Sequence, residues 1–319
     1  MLKAMAASQN KAPSFFNFLK EGLLLPSRNR RLFTAVFALI LASTVLLVLG
    51  NDLAIRPLGD KIQLDIKAIN TTEPGSPDFA KLLQEIQNDT KEVLLVGAEY
   101  LLFSVVVGSA VWIVVLFAAV STYSDEQRAI TFGAVLGQAK AQIKGPLLTL
   151  AFVYVLETVY VVLLVAMAVP IGVFMAMQYF AALLVAWLLV LAATVCYVYF
   201  SFLCYFSVVV AVAEPGCHGA AALGKAWRLV KGKRRQVALY AAATVVLTAA
   251  VSPVRTLAMT CAGNSVALGL LLGFVYAVLL TFVQLFAVCA MTAFYYERRE
   301  DIDSQLGATG YAKISTANP

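Results

Sequence analysis

Six long apolar runs separated by short basic stretches decide what this chain can fold into. An α-helix needs about 20 apolar residues to cross the hydrocarbon core of a bilayer, and several windows here exceed that length without a charge. With 61% hydrophobic residues, 13% charged residues and a mean hydropathy of +0.84, too little polar surface remains to clothe a water-soluble globule of 319 residues. The fold class expected is all-α: a polytopic membrane helix bundle of about six transmembrane helices.

The first run, Leu32 to Gly50, follows Arg28, Arg30 and Arg31. It begins too late and extends too far for a cleaved signal peptide, so it reads as a signal anchor. The next 42 residues are polar. Within them Ser76-Pro77-Asp78 has the form of an N-cap with proline at the first helical position, which predicts a helix running straight into the second span, Leu101 to Val120. From Pro146 to Ala213 there is one charge in 68 residues, too long for one span and right for two, with the turn at Pro170, Gly172 and Met175 to Gln178 and the fourth span from Tyr179. The fifth span is read as Val237 to Val251, ended by Ser252-Pro253, and the sixth as Val266 to Phe294. The domain organisation is then a cytoplasmic N-terminal segment (1–31), a membrane domain (32–296) with a lumenal loop (51–92), and a cytoplasmic C-terminal tail (297–319).

Charge partition orients this layout. The N-terminus, second loop, fourth loop and C-terminal tail hold 18 of the Lys and Arg residues, and the remaining loops hold 6. Basic residues concentrate in cytoplasmic loops, which places both termini in the cytoplasm. The two glycosylation candidates, Asn70 and Asn88, each in an Asn-x-Thr sequon, fall in the first loop, on the side the count makes lumenal. Among the five cysteines, Cys196, Cys204 and Cys289 lie inside apolar runs, while Cys217 and Cys261 fall in loops assigned to opposite sides, so no structural disulfide is implied.

The two larger cytoplasmic loops carry one ungapped segment twice, 87 residues apart. LGQAKAQIKG from Leu136 to Gly145 aligns with LGKAWRLVKG from Leu223 to Gly232, identical at five of ten positions. The duplicated unit predicted is span, amphipathic cytoplasmic interfacial helix, span. On a helical wheel Phe132, Val135, Leu136, Ala139 and Ile143 share one side, as do Ala222, Leu223, Ala226 and Val230, with Lys225 and Arg228 opposite. The terminal glycine of each copy is expected to act as a C-cap. Amphipathic, basic character alone is also what any short helix between spans shows; the shared Lys-Gly ending is what the duplication adds.

The segment VVVAVAEPGCHGAAALGKAWRLVKG, Val208 to Gly232, carries a glutamate, a glycine-containing turn and an A-L-x-x-[SA]-x-x-L-[VI]-[KR]-G helix between two spans. In this it resembles a family of uncharacterised plant six-span membrane proteins, some labelled poly(A)-binding-protein-binding, and more distantly the membrane domain of bacterial glycerophosphodiesterases. The matching positions are Glu214, Ala222, Leu223, Ala226, Leu229, Val230, Lys231 and Gly232. The resemblance implies a family fold and a membrane location, and no activity, since no stretch of this chain corresponds to the catalytic phosphodiesterase barrel.

Candidate sites are few. Glu157 stands mid-span, where a carboxylate costs about 2.5–3.5 kcal/mol on insertion scales and so faces protein or water. Its expected partners are Tyr154 and Tyr160 on its own helix, Tyr197 or Tyr199 on the fourth span, and Gln284 on the sixth; a neutral carboxyl bonding two helices is the competing reading. Glu99 reads as interfacial. The basic cluster Lys225, Arg228, Lys231, Lys233, Arg234 and Arg235 suits anionic lipid head groups or a plain topogenic signal, and nucleic acid is disfavoured because no RNA-binding signature accompanies Trp227. Gly269 and Gly273 form a GxxxG opposite an alanine-rich fifth span, which predicts close packing of the last two spans. The single histidine, His218, provides neither a zinc site nor a conventional triad, so no metal or other cofactor is expected. The function expected is a non-enzymatic endomembrane protein that organises partners or docks lipids; the alternative is a small-solute or ion transporter or channel using Glu157. The membrane expected is ER, Golgi or plasma membrane, with a plastid less favoured.

Overall fold

The computed structural model describes residues 16–72, 76–124, 131–177, 179–262 and 265–315, and among them every regular element is helical. In chain order these are α1 (Asn17–Arg28), α2 (Arg30–Gly50), a π-helical turn (Asn51–Ile55), α3 (Arg56–Thr71), α4 (Pro77–Ser124), α5 (Phe132–Gln142), α6 (Lys144–Ala176), α7 (Phe180–Ala213), α8 (Ala220–Val230), α9 (Arg234–Ala262) and α10 (Val266–Ser315). Among the described residues six helices are long and apolar enough to cross a membrane. Local capping signals fix several starts. Ser76 Oγ accepts the Phe79 N–H at 3.2 Å with Pro77 at the first helical position, so α4 begins where its N-cap predicts and runs on through the second span. Asn29 Oδ1 accepts the Leu32 N–H at 3.3 Å and starts α2, and Thr131 Oγ1 accepts the Ala134 N–H at 3.4 Å and starts α5.

Several boundaries differ from the sequence reading. Pro253 lies inside α9, which continues to Ala262, and Pro170 lies inside α6, which continues to Ala176. In hydrocarbon a broken helix leaves unpaired backbone groups, so a proline that would end a helix in water is accommodated within a span. The polar stretch after the first span is helical over most of its length, as α3 and the start of α4, rather than a loop. Residues expected as a C-terminal tail continue α10. Residues 1–15 of the N-terminal segment, Gln178 in the third turn, and the side chain of Asn70 lie outside the described residues.

The chain divides into two compact units. The first comprises Met1–Val36, Ile113–Ala250 and Val283–Pro319. Its core is aromatic: Phe206 meets Phe294 edge-on at 5.5 Å, and Phe18 of α1 meets the same ring at 5.6 Å. Here α1 is a third amphipathic helix, with Phe18 and Leu25 buried and Gly22 set so close to α10 that an added methyl would lie 2.7 Å from Ala290 Cα. Within α5 and α8 the buried residues include Val135 and Ala139 in one and Ala222 and Ala226 in the other, the same pairs at the 87-residue spacing. Protein covers these residues, while Phe132, Ile143 and Leu223 on the same faces are half-buried. Leu136 departs from the wheel, since it is 48% exposed.

The two Lys-Gly endings also part company. Gly232, with φ +90°, follows the C-cap Lys231 and ends α8 at the left-handed position that favours glycine. Gly145 lies within the first turn of α6 and serves a different need: a methyl there would sit 2.2 Å from His218 Cε1. The imidazole rests on that bare backbone, and the next residue, Gly219, donates its N–H to Thr149 Oγ1 at 2.9 Å.

The second unit comprises Phe37–Trp112 and Val251–Phe282. Lys61 of α3 pairs with the buried Asp89 of α4 at 2.9 Å, and Tyr100 donates its hydroxyl to the Leu47 carbonyl at 2.5 Å. Gly269 has the close approach expected of the GxxxG, with a hypothetical methyl 2.6 Å from Ala262 Cβ, whereas Gly273 has nothing within 4 Å.

Candidate functional site

The third and fourth spans form a hairpin pinned near its middle by Glu157, which is 8% exposed on α6. Its Oε1 accepts from Ser201 Oγ at 2.8 Å and its Oε2 from the Tyr205 hydroxyl at 3.2 Å. Ser201 and Tyr205 are four residues apart and therefore on one face of α7. Tyr160 adds a further bond between the same two helices, donating to the Ala193 carbonyl at 3.1 Å while its ring lies 5.3 Å from Tyr197. Each carboxyl oxygen is thus met by a hydroxyl. Gln284, expected as a partner, is instead exposed on α10. A helical-wheel reading misses the roles of Ser201 and Tyr205 because a lone hydroxyl among apolar residues bonds its own helix as readily as a neighbouring one.

The basic cluster separates into two groups. Lys225 and Arg228 of α8 line a cavity of about 730 Å³ together with Glu214, Tyr295 and Arg299. Lys231, Arg234 and Arg235 are exposed outside it, and Lys233 pairs with Asp301 at 3.8 Å. The organising residue is Glu214, just past the C-terminus of α7. It accepts from the Lys225 ammonium and, at 2.7 Å, from the Tyr295 hydroxyl. Burial alone would raise this carboxyl, but the hydrogen bonds from Lys225 and Tyr295 and the charges of Lys225 and Arg299 outweigh it and hold it below the ordinary range. The wall is fixed by Arg298, whose Nε donates to the Leu229 carbonyl at 3.0 Å, closing the C-terminal turn of α8 against α10.

Three cations therefore line a cavity whose single carboxylate, among the described residues, is Glu214. An arrangement of this kind suits an anion, since guanidinium groups can grip phosphate oxygens in pairs. Trp227 on α8 is 50% exposed and meets Tyr199 edge-on at 6.2 Å, an amphipathic pair of the type found at head-group depth. The contributions of Arg299 and Tyr295 are not legible in the sequence, since they reach the site from a helix that starts far downstream.

Among the described residues no three of His, Cys, Asp and Glu converge as metal ligands, and all five cysteines are free. Asn88 is exposed on α4. A family model described as a domain of unknown function, DUF8558, matches residues 6–305, and the chain belongs to that family. No curated protein and no solved structure matches it.

Proposed function

We propose that this chain is a non-enzymatic multi-pass endomembrane protein that docks anionic lipid head groups at a basic cytoplasmic cavity. The observation that carries this reading is the convergence of Lys225, Arg228 and Arg299 on a cavity whose lining, among the described residues, holds one carboxylate, Glu214. The partition of Lys and Arg supports a cytoplasmic position for this end, and with it both termini. Anionic lipids concentrate in that leaflet, where each nearby basic residue contributes about 1 kcal/mol. The duplication of span, short helix and span is part of the same proposal, supported by the matching buried pairs of α5 and α8.

The transport alternative rests on Glu157. Its bonds to Ser201 and Tyr205 account for its burial without a solute, so the carboxyl fits a clasp between spans better than a binding site.

Native mass spectrometry of the detergent-solubilised full chain tests the lipid reading with phosphatidylinositol phosphate against phosphatidylcholine of the same acyl composition. Replacing Arg228 and Arg299 together by Gln removes about 2 kcal/mol of attraction, or about 30-fold in affinity for the anionic lipid. Equal binding of the two lipids, or an unchanged affinity in the double variant, overturns it.

A further inference from the structure

The first span does not end where its apolar run ends. At Asn51–Ile55 the backbone passes into one π-helical turn, with the Arg56 N–H bonded to the Asn51 carbonyl five residues back. Such a turn is rare, occurs mostly as a single bulge within an α-helix, and is frequent at functional sites. Here it has support on one side: Tyr100 bonds the Leu47 carbonyl just before it, and Gly50 leaves room for the ring, since a methyl there would lie 3.1 Å from Tyr100 Cε2.

The turn carries Asp52 to Arg255 of α9, carboxylate to guanidinium, at 3.2 Å. Asn51 Nδ2 donates to the same carboxylate oxygen at 3.3 Å, and the Arg255 guanidinium lies 5.6 Å from the centre of the Tyr276 ring. Beside this pair is a cavity of about 360 Å³ with apolar walls that include Val48, Met259, Leu270 and Phe274. Gly273 opens onto it, which is why the second glycine of the GxxxG has no close neighbour. Among the described residues its charged lining is Asp52, Arg56 and Arg255. Arg56 has Asp60 at 3.8 Å, but both side chains are largely exposed and that pair contributes little. The lining therefore has an apolar body and a positive surplus at one end, at a volume near the lower limit for small-molecule sites.

We propose that this cavity binds a single-chain anionic amphiphile, with its carboxylate or phosphate head on Arg56 and Arg255 and its hydrocarbon chain against Gly273. The site is separate from the head-group cavity of Lys225 and Arg228 and does not depend on it. A small volume selects one chain over two, and the surplus cation selects the sign of the head. Asp52 holds Arg255 in place, so that the guanidinium is positioned before the ligand arrives.

The test uses the full chain in phosphatidylcholine nanodiscs and three photoreactive probes carrying the same chain: a diazirine analogue of dodecanoate, the matching dodecyl phosphate, and the matching dodecyl trimethylammonium. Adducts are mapped by peptide mass spectrometry. The carboxylate, the phosphate or both should label α9 and α10 around Met259 and Phe274 about tenfold more than the ammonium, and whichever anion labels identifies the head. Gly273→Leu fills the open space with a side chain and should remove that labelling while retaining the wild-type melting temperature. Arg255→Gln keeps a hydrogen bond to Asp52 and should abolish the preference for anions, which keeps the proposal falsifiable if Gly273→Leu does not fold. Equal labelling by the ammonium probe, labelling undiminished in folded Gly273→Leu, or an anion preference retained in Arg255→Gln overturns it.

Discussion

Replacing Gly22 by Ala tests whether α1 is an integral part of the first unit or a loosely attached appendage. In an isolated helix this change stabilises, because Ala is preferred over Gly by about 0.5–1 kcal/mol. In the fold it meets backbone: the new methyl would lie 2.7 Å from Ala290 Cα and 2.8 Å from Ala290 N, and backbone does not rotate aside as a side chain does. Overpacking of this kind costs about 1–3 kcal/mol, so the net effect is a destabilisation of about 0.5–2 kcal/mol. Moving α1 outward also disturbs Phe18 and Leu25, both 1% exposed, and the bond from the Tyr123 hydroxyl to Glu21 at 2.9 Å. Gly137→Ala is the matched control, since that glycine is also helical but has nothing within 4 Å. Thermal unfolding in detergent, followed by size-exclusion chromatography, should order the melting temperatures Gly137→Ala, wild type, Gly22→Ala from high to low. Trypsin cleavage after Arg28, where α1 ends, should accelerate only in Gly22→Ala. If Gly22→Ala melts above the wild type, as Gly137→Ala should, the close approach of α1 to α10 is wrong.

Glu157→Gln should leave abundance and melting temperature unchanged, because the amide still bonds both hydroxyls, whereas Glu157→Leu loses two interhelical bonds at about 0.6 kcal/mol each; an ion- or pH-dependent flux in proteoliposomes that is lost in Glu157→Gln would reverse the preference against transport. The carboxyl of Glu214 lies below its ordinary value in the fold, so its contribution is complete above the usual carboxylate value of about 4.3 and fades as pH falls through the lowered one. Melting temperature should therefore drop more steeply on acidification in the wild type than in Glu214→Gln, and parallel curves would remove the ion pair from the account. For topology, Asn70→Gln with Asn88→Gln should abolish any glycan-dependent gel shift, and cytoplasmic labelling of Ser76→Cys in sealed vesicles would invert the assignment.

What was legible in the sequence follows from the range of each signal. Spans declare themselves because about 20 uninterrupted apolar residues have few other uses, and the Ser76 cap declares itself because capping is settled within four residues. Signals that depend on a neighbour fail. Ser252-Pro253 has the form of a helix end, but Pro253 is tolerated inside a span. The two Lys-Gly endings are identical in sequence, yet one glycine is needed for a positive φ and the other for the absence of a side chain under His218. Glu157 was visible as an isolated carboxylate; its partners were not, because Ser201 and Tyr205 differ in no local respect from other hydroxyls in the spans.

Asp52 and Arg255 show the same limit in the electrostatics. Counted along the chain, each is an ordinary loop charge, and Arg255 belongs to the sparser of the two basic sets. In the fold both stand in helical backbone, 203 residues apart in sequence, and meet at 3.2 Å. A guanidinium within a spanning helix is costly unless it is answered, and the answer comes from a π-turn that no periodicity announces. Arg255 keeps its place in the count of basic residues, since the others assigned to its side, Arg56, Lys61, Lys67, Lys81 and Lys91, stand in helices too. The residue that a count along the chain treats as a stray loop charge is therefore, in the fold, the anchor of a candidate binding site.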